Sequence, residues 1–356
     1  MNKASDKFYS EAVAVLSELI KLPSYSKEED QTAAFLAGYL TENGVPVKRV
    51  GNNVLALNKH FDKSKPTILL NSHHDTVKPN SAYTKDPFRP EIMDGKLLGL
   101  GSNDAGGCLV SLMMAFLHFY ERKNLKYNLL YGATAEEEIS GANGIQTALE
   151  HLPEISVAIV GEPTLLQMAV AERGLMVLDC KAKGTAGHAA REEGDNAIYK
   201  AMTDIEWFRN FRFERLSDFL GPVKMSVTSI ETENKTHNIV PALCSYVVDV
   251  RMNELYTMDE LLKQIRENVQ SEVKPRSTRL KSSFIPLEHP IVQAGVKLGK
   301  TCYGSPTTSD KALMPFPAVK IGPGNSARSH TADEFIYLDE IREGIEFYIT
   351  LLHQVL

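Results

Sequence analysis

Five short polar clusters each trail or open an apolar run. They are Asn71-Ser72-His73-His74-Asp75, Gly101-Ser102-Asn103-Asp104, Ala135-Glu136-Glu137-Glu138, Gly161-Glu162-Pro163-Thr164 and Ser329-His330. Together they offer at least two imidazoles and at least three carboxylates, the donor chemistry of a dinuclear zinc site. Zinc takes nitrogen from His and oxygen from Asp or Glu, and a reactive site keeps one position open for water. Two such ions about 3.5–4 Å apart need a bridging carboxylate, and they lower the pKa of a shared water to roughly 7 from about 15.7. His73, Asp104, Glu138, Glu162 and His330 would supply five ligands. Glu137, beside Glu138, suits the acid that finishes the deprotonation and hands the proton to a leaving group.

Each residue also has an ordinary explanation. His73 alone reads as a hydrogen-bonded core histidine, and Asp104 as an N-cap before an apolar helix. The Glu136–Glu138 run reads as acids favoured by a helix dipole. Glu162 before Pro163 reads as a turn residue, and His330 as a surface histidine in a Ser-rich loop. All five explanations would have to hold at once, each at a strand end or helix start, and that coincidence argues for the cluster. Two rival chemistries find little support. Gly99-Leu100-Gly101-Ser102-Asn103-Asp104 half-matches a dinucleotide fingerprint but carries Asp104 where the third glycine belongs. No GxSxG elbow occurs, and no cysteine sits in a local nucleophile signature.

These residues have to be brought together by the elements that precede them. Thr67–Asn71, Tyr127–Tyr131, Val157–Val160 and Ala318–Ile321 read as buried strands, and Cys108–Tyr120 as an apolar helix. In an open α/β sheet, ligands collect at the carboxyl ends of the strands, so distant segments can converge. Helical spacing is also expected over Phe8–Leu22, Thr32–Leu40 and Leu338–Val355, and a hairpin over Val47–Leu57. From about Arg173 the pattern becomes strand Leu175–Lys181, helix Asp195–Phe211, strands Val223–Ile230 and Leu243–Met252, helix Met258–Val269 and strand Arg279–Phe284. That order is β-α-β-β-α-β, the ferredoxin-like unit. The expected fold is therefore α/β: a mainly parallel sheet with helices on both faces, in a discontinuous catalytic domain (1–172 and 286–356). A ferredoxin-like α+β domain (173–285) is inserted into it.

The formal charge of −6 leaves no basic footprint for nucleic acid. The four cysteines are scattered and unpaired in sequence, which suits a reducing compartment. No window is apolar enough to span a bilayer. The first residues lack the pattern of a secretory signal, so a cytoplasmic protein with no membrane partner is expected.

With those clusters in place, the chain resembles the M20 family of metallohydrolases, which includes acetylornithine deacetylase, succinyl-diaminopimelate desuccinylase, aminoacylase and glutamate carboxypeptidase. The HxD motif matches His73-His74-Asp75, the bridging aspartate Asp104, the Glu-Glu pair Glu137-Glu138, and GEPT Gly161–Thr164. The late histidine ahead of an acidic pair matches His330 with Asp333-Glu334. The resemblance implies that His73 and Glu162 hold one ion and Glu138 and His330 the other, with Asp104 between them. It makes Asp75 a support for His73 and Glu137 the general base and then acid. It implies that His188, in Gly184-Thr185-Ala186-Gly187-His188, reaches a neighbouring subunit's site to stabilise an oxyanion, in a homodimer joined through the inserted domain. Asn238, Arg251 and Thr308 resemble substrate contacts, Arg251 as a carboxylate clamp; a solvated strand arginine is the plainer reading of that residue. His74 reads as a spacer.

The expectation is a zinc amidohydrolase, with cobalt as the alternative metal, acting on a small N-acyl amino acid. N-acetylornithine or N-acetyl- or N-succinyl-citrulline, in arginine biosynthesis, is the first choice. A desuccinylase acting on N-succinyl-diaminopimelate or a dipeptidase is the second, and a non-catalytic metal-dependent binding protein the third.

Overall fold

The computed structural model describes residues 3–191 and 193–356, with side chains from residue 6 onward. Met1 and Asn2, part of the non-secretory start read above, lie outside the described residues. The chain divides into two compact units: Met1–Val170, Phe284–Tyr303 and Ser309–Leu356 in the first, and Ala171–Ser283 with Gly304–Thr308 in the second. The short segment Gly304–Thr308, which the sequence pattern leaves in the catalytic part, packs with the second unit.

Four neighbouring strands form the parallel centre of the large sheet, in the order Asn128–Thr134, Thr67–His73, Val157–Val160 and Ala318–Lys320. Antiparallel strands flank them: Asn53–Leu57 and Val47–Val50 beyond the first, Met168–Glu172 beyond the last. Every residue of Thr67–His73 and Asn128–Thr134 is buried, as expected of strands covered on both faces. Alternation sends Leu69, Leu130 and Ala158 towards Ile145 and Ala148 of helix Ile145–Leu149. On the opposite face, Tyr131 meets Phe116 of helix Gly107–Phe119, ring centroids 5.9 Å apart. Each of the leucine, isoleucine and phenylalanine side chains contributes roughly 1.5–3 kcal/mol by leaving water. That apolar filling holds the polar strand ends in fixed positions.

A small sheet that the sequence reading misses lies beside the site: Glu91–Met93, Lys96–Leu98 and Phe335–Tyr337. Its turn is Asp94-Gly95, both with positive φ, and Asp-Gly between apolar pairs is a strong hairpin signal. This sheet ties the loop before Asp104 to the segment after His330.

The second unit is built as the ferredoxin-like order demands. Strands Gly174–Lys183, Lys224–Thr232, Leu243–Met252 and Glu272–Pro275 and helices Ala197–Asn210 and Met258–Asn268 alternate along the chain. The strands pair antiparallel, with Leu243–Met252 and Gly174–Lys183 at the centre. Cys244, Tyr246, Val248, Val250 and Met252 point to the core at period two. The last strand corrects the expectation: it is Glu272–Pro275, whereas the expected strand Arg279–Phe284 contributes only Ser283–Phe284, which joins the large sheet. Val273 of Glu272–Pro275 enters the core of this unit, whereas Leu280 of the expected stretch is only half-buried and Phe284 is exposed.

Candidate metal centre

The site lies where the parallel strands end. His73 is the last residue of its strand; Glu137 and Glu138 form the turn after Asn128–Thr134; Glu162 follows Val157–Val160; and Asp104 lies in the irregular loop before helix Gly107–Phe119. His330 arrives from the C-terminal segment with a positive φ of 59°. All five expected ligands and Glu137 are brought together. His73 Nε2 lies 3.3 Å from Asp104 Oδ1, 3.8 Å from Glu162 Oε1 and 3.9 Å from Glu137 Oε2. His330 Nε2 lies 3.0 Å from Glu138 Oε2 and 3.7 Å from Asp104 Oδ2. The two oxygens of Asp104 thus face different imidazoles.

Ring orientation is set by the other nitrogen. His73 Nδ1 is 3.0 Å from the Asp75 main-chain oxygen and 3.4 Å from its carboxylate. A carbonyl oxygen only accepts, so Nδ1 carries a proton, which leaves Nε2 as the nitrogen that faces the acids and would ligate an ion. The Asp75 carboxylate does more than steady His73. It accepts the amides of Glu137 (3.0 Å) and Glu138 (3.2 Å) and the Ser26 hydroxyl (2.7 Å), which pins the turn carrying both acids. His74 is no idle spacer: it is buried, with Nε2 2.9 Å from the Asn52 carbonyl and Nδ1 2.9 Å from the Thr32 hydroxyl.

The electrostatics show what the cluster needs. Burial pushes the Glu162 carboxyl up to about 8, and Asp104 and Glu138 add to it against the pull of His73. Burial also carries Glu137 well above the carboxylate range, with Glu162, Asp310 and Glu138 reinforcing it. Burial would lower His73, but Glu137, Asp104, Asp75 and Glu162 raise it well above its ordinary value. The hydrogen bond to Glu138 lifts His330 to about 9. Crowded acids hold protons when no stronger cation neutralises them. The donor set fits divalent ions: His73, Asp104 and Glu138 form one group and His73, Glu137 and Glu162 another, each with ligand atoms within 4.8 Å of one another. Ligands about 2.0–2.2 Å from a tetrahedral zinc stand about 3.4 Å apart, close to the separations measured here.

Two further buried acids were given no role of their own by the sequence reading. Asp310 accepts from Asn71 Nδ2 (2.9 Å) and the Thr134 hydroxyl (2.8 Å), at the ends of the strands leading to His73 and Glu137. Glu334 accepts amides of the loop that carries Asp104. The available signals were Asp310 directly after Thr308-Ser309, and the second acid of the Asp333-Glu334 pair.

The remaining expected residues belong to the second unit and are described within it. His188 is exposed on a two-stranded ribbon, opposite Ile239. The Ala189 amide donates to the Asn238 carbonyl (3.1 Å), so His188 and Asn238 sit together. The Arg251 guanidinium is held by Asp249, at 2.8 and 3.1 Å, which occupies the fork expected to grip a carboxylate. The Thr308 hydroxyl donates to the Arg173 carbonyl at 3.3 Å.

Comparison with known proteins agrees with this geometry. Residues 69–354 match the pattern of Peptidase family M20/M25/M40. A relative named succinyl-diaminopimelate desuccinylase, from Wolbachia pipientis subsp. Culex pipiens, is 25% identical over 365 residues, covering 94% of this chain and 91% of its own. Aminopeptidase PepT from Bacillus cereus superposes with a TM-score of 0.77 at 20% identity, covering 98% of both chains. The YXEP protein of Bacillus subtilis, described as a dinuclear metal-binding peptidase of the M20 family, gives a TM-score of 0.74 at 16% identity over 98% of both chains.

Proposed function

The chain belongs to peptidase family M20/M25/M40 and is a metallohydrolase, and from that premise we propose that it cleaves the amide bond of a small N-acyl amino acid. The observation that carries the reading is Asp104 turning one oxygen to His73 and the other to His330. In this reading His73 and Glu162 hold one divalent ion and Glu138 and His330 a second, with Asp104 shared and zinc the metal that suits the donors. Bound there, the ions supply Lewis acidity to the scissile carbonyl and lower the pKa of a water.

The protein's own part is proton handling and alignment. Glu137 lies 3.9 Å from His73 Nε2 in a buried setting that strengthens its affinity for a proton, and divalent ions bound beside it would leave its carboxylate ionised and able to accept one. It takes the proton of the attacking water and delivers it to the departing amine. Asp75 keeps Glu137 in reach by holding its amide. His188, exposed on its ribbon, is proposed to donate to the developing oxyanion of another copy of the chain, which makes the working form a homodimer. Asn238 and Thr308 are proposed to contact the substrate, and Arg251 to do so after exchanging Asp249 for a substrate carboxylate.

For the acyl amino acid itself, the overall resemblance of the chain favours N-acetylornithine or N-acyl-citrulline. The name of the Wolbachia relative favours a second member of the class, N-succinyl-diaminopimelate. Rates on a panel of N-acetyl and N-succinyl amino acids and dipeptides separate these. Glu137→Gln tests the mechanism: metal content should persist while turnover falls on the order of 10²–10⁴-fold. Undiminished turnover would rule Glu137 out as the proton carrier.

A further inference from the structure

We infer that Glu334 is the positioning residue that sets Asp104 between the two imidazoles; the inference rests on the proposal above that Asp104 is the shared ligand. Glu334 is 2% exposed. Its carboxylate accepts three main-chain amides of one loop: Gly101 at 3.1 Å, Asn103 at 2.8 Å and Asp104 at 2.9 Å. Its own carbonyl accepts a fourth, from Gly99, at 3.0 Å. That loop is irregular: Gly101 has φ +74°, and Asp104 and Ala105 leave helical geometry. Three amides of that loop turn to one carboxylate, and amides converging on one point form an anion cradle. Here the anion is a side chain of the protein.

Connectivity gives the contact its purpose. Glu334 follows His330 by four residues, so one short segment carries an imidazole of the site and the anchor of the shared carboxylate. Asp333 fastens the same segment by accepting the amides of Thr84 (2.9 Å) and Lys85 (3.0 Å), and Phe335–Tyr337 continues it into the small sheet. The spacing between His330 and Asp104 is thereby set through the backbone rather than left to two flexible side chains. A carboxylate acting at this remove from a metal changes affinity by about 10–100-fold when altered.

The test uses the metal-free full chain and zinc as the probe. Hydrogen exchange in the parent should show the Asn103 and Asp104 amides strongly protected before metal is added, and in folded Glu334→Gln this protection should be lost. Calorimetric titration of Glu334→Gln should show the second zinc bound about 10–100-fold more weakly, with far-UV circular dichroism matching the parent. Amides in the parent that exchange at the rate of an exposed loop overturn the cradle, whatever the fate of the variant. Folded Glu334→Gln that binds two zincs with parental affinity, while Asp104→Asn loses one, overturns the positioning role alone. Asp104→Asn that keeps both zincs overturns the ligand reading on which it rests.

Discussion

In the first unit, Asp104, Glu137, Glu138 and Glu162 crowd the imidazole of His73, in two groups whose ligand atoms lie within 4.8 Å of one another. In the second unit the buried acid Asp204 meets donors instead: the amides of Gln270 (3.0 Å) and Ser271 (2.8 Å), the Ser271 hydroxyl and the Tyr246 hydroxyl. Two partly exposed acids of that unit, Glu260 and Asp179, are matched by arginines. A hydrogen bond from Arg215 holds Glu260 down to about 2, and one from Arg276 holds Asp179 below its ordinary value. Burial with donors gives an acid a structural task. Burial among other acids leaves a charge that only cations relieve, and that marks a functional site.

The contrast can be broken most directly at Asp104. Asp104→Asn keeps the shape but removes the charge and one acceptor. Bound metal should fall below two ions per chain by elemental analysis and amide hydrolysis should vanish; full metal content would erase the distinction between the units. Glu137→Gln, tested above, comes next, since it should separate chemistry from metal binding within the same cluster.

Removing Asp204 from the other unit should do the reverse. Asp204→Ala leaves two amides unsatisfied and should cost about 2–3 kcal/mol, with metal stoichiometry unchanged. The single tryptophan, Trp207, lies in that unit's helix Ala197–Asn210, so its fluorescence during urea unfolding reads the loss there. Thr257 and Glu260 form a capping box on helix Met258–Asn268. Thr257→Ala should cost about 1 kcal/mol by the same probe, again without touching metal content.

The smallest effect is a pH signature. Because the Glu260 carboxyl is depressed in the folded chain, chiefly by its hydrogen bond from Arg215, its contribution is complete above its ordinary value of 4.5 and fades as pH falls towards 2. Arg215→Ala should remove that acid-dependent component from the Trp207 unfolding curve. A curve unchanged in shape would show the pair to be energetically silent.

Much of the site was legible before any coordinates. His73, Glu137-Glu138 and Glu162 follow strands whose apolar runs are readable, so their convergence followed from the rule for parallel sheets. The strands Val157–Val160 and Leu243–Met252 stand where their patterns put them. The small three-stranded sheet escaped because its strands are only three residues long, too short for periodicity. Arg279–Phe284 misled because its few apolar residues suit either sheet. Among the described residues no helix is long and apolar enough to cross a membrane.

The sequence by itself determined the stock of donors and the alternation of elements that brings them to one end of a sheet, because both depend on residues close together in the chain. Tertiary structure alone decided which oxygen of Asp104 faces which imidazole, that Asp249 holds Arg251, and that Glu334 cradles amides some 230 positions away. Local pattern constrains which face a side chain takes. The partner it meets depends on the packing of the whole unit, where a shift of about one ångström separates a hydrogen bond from none.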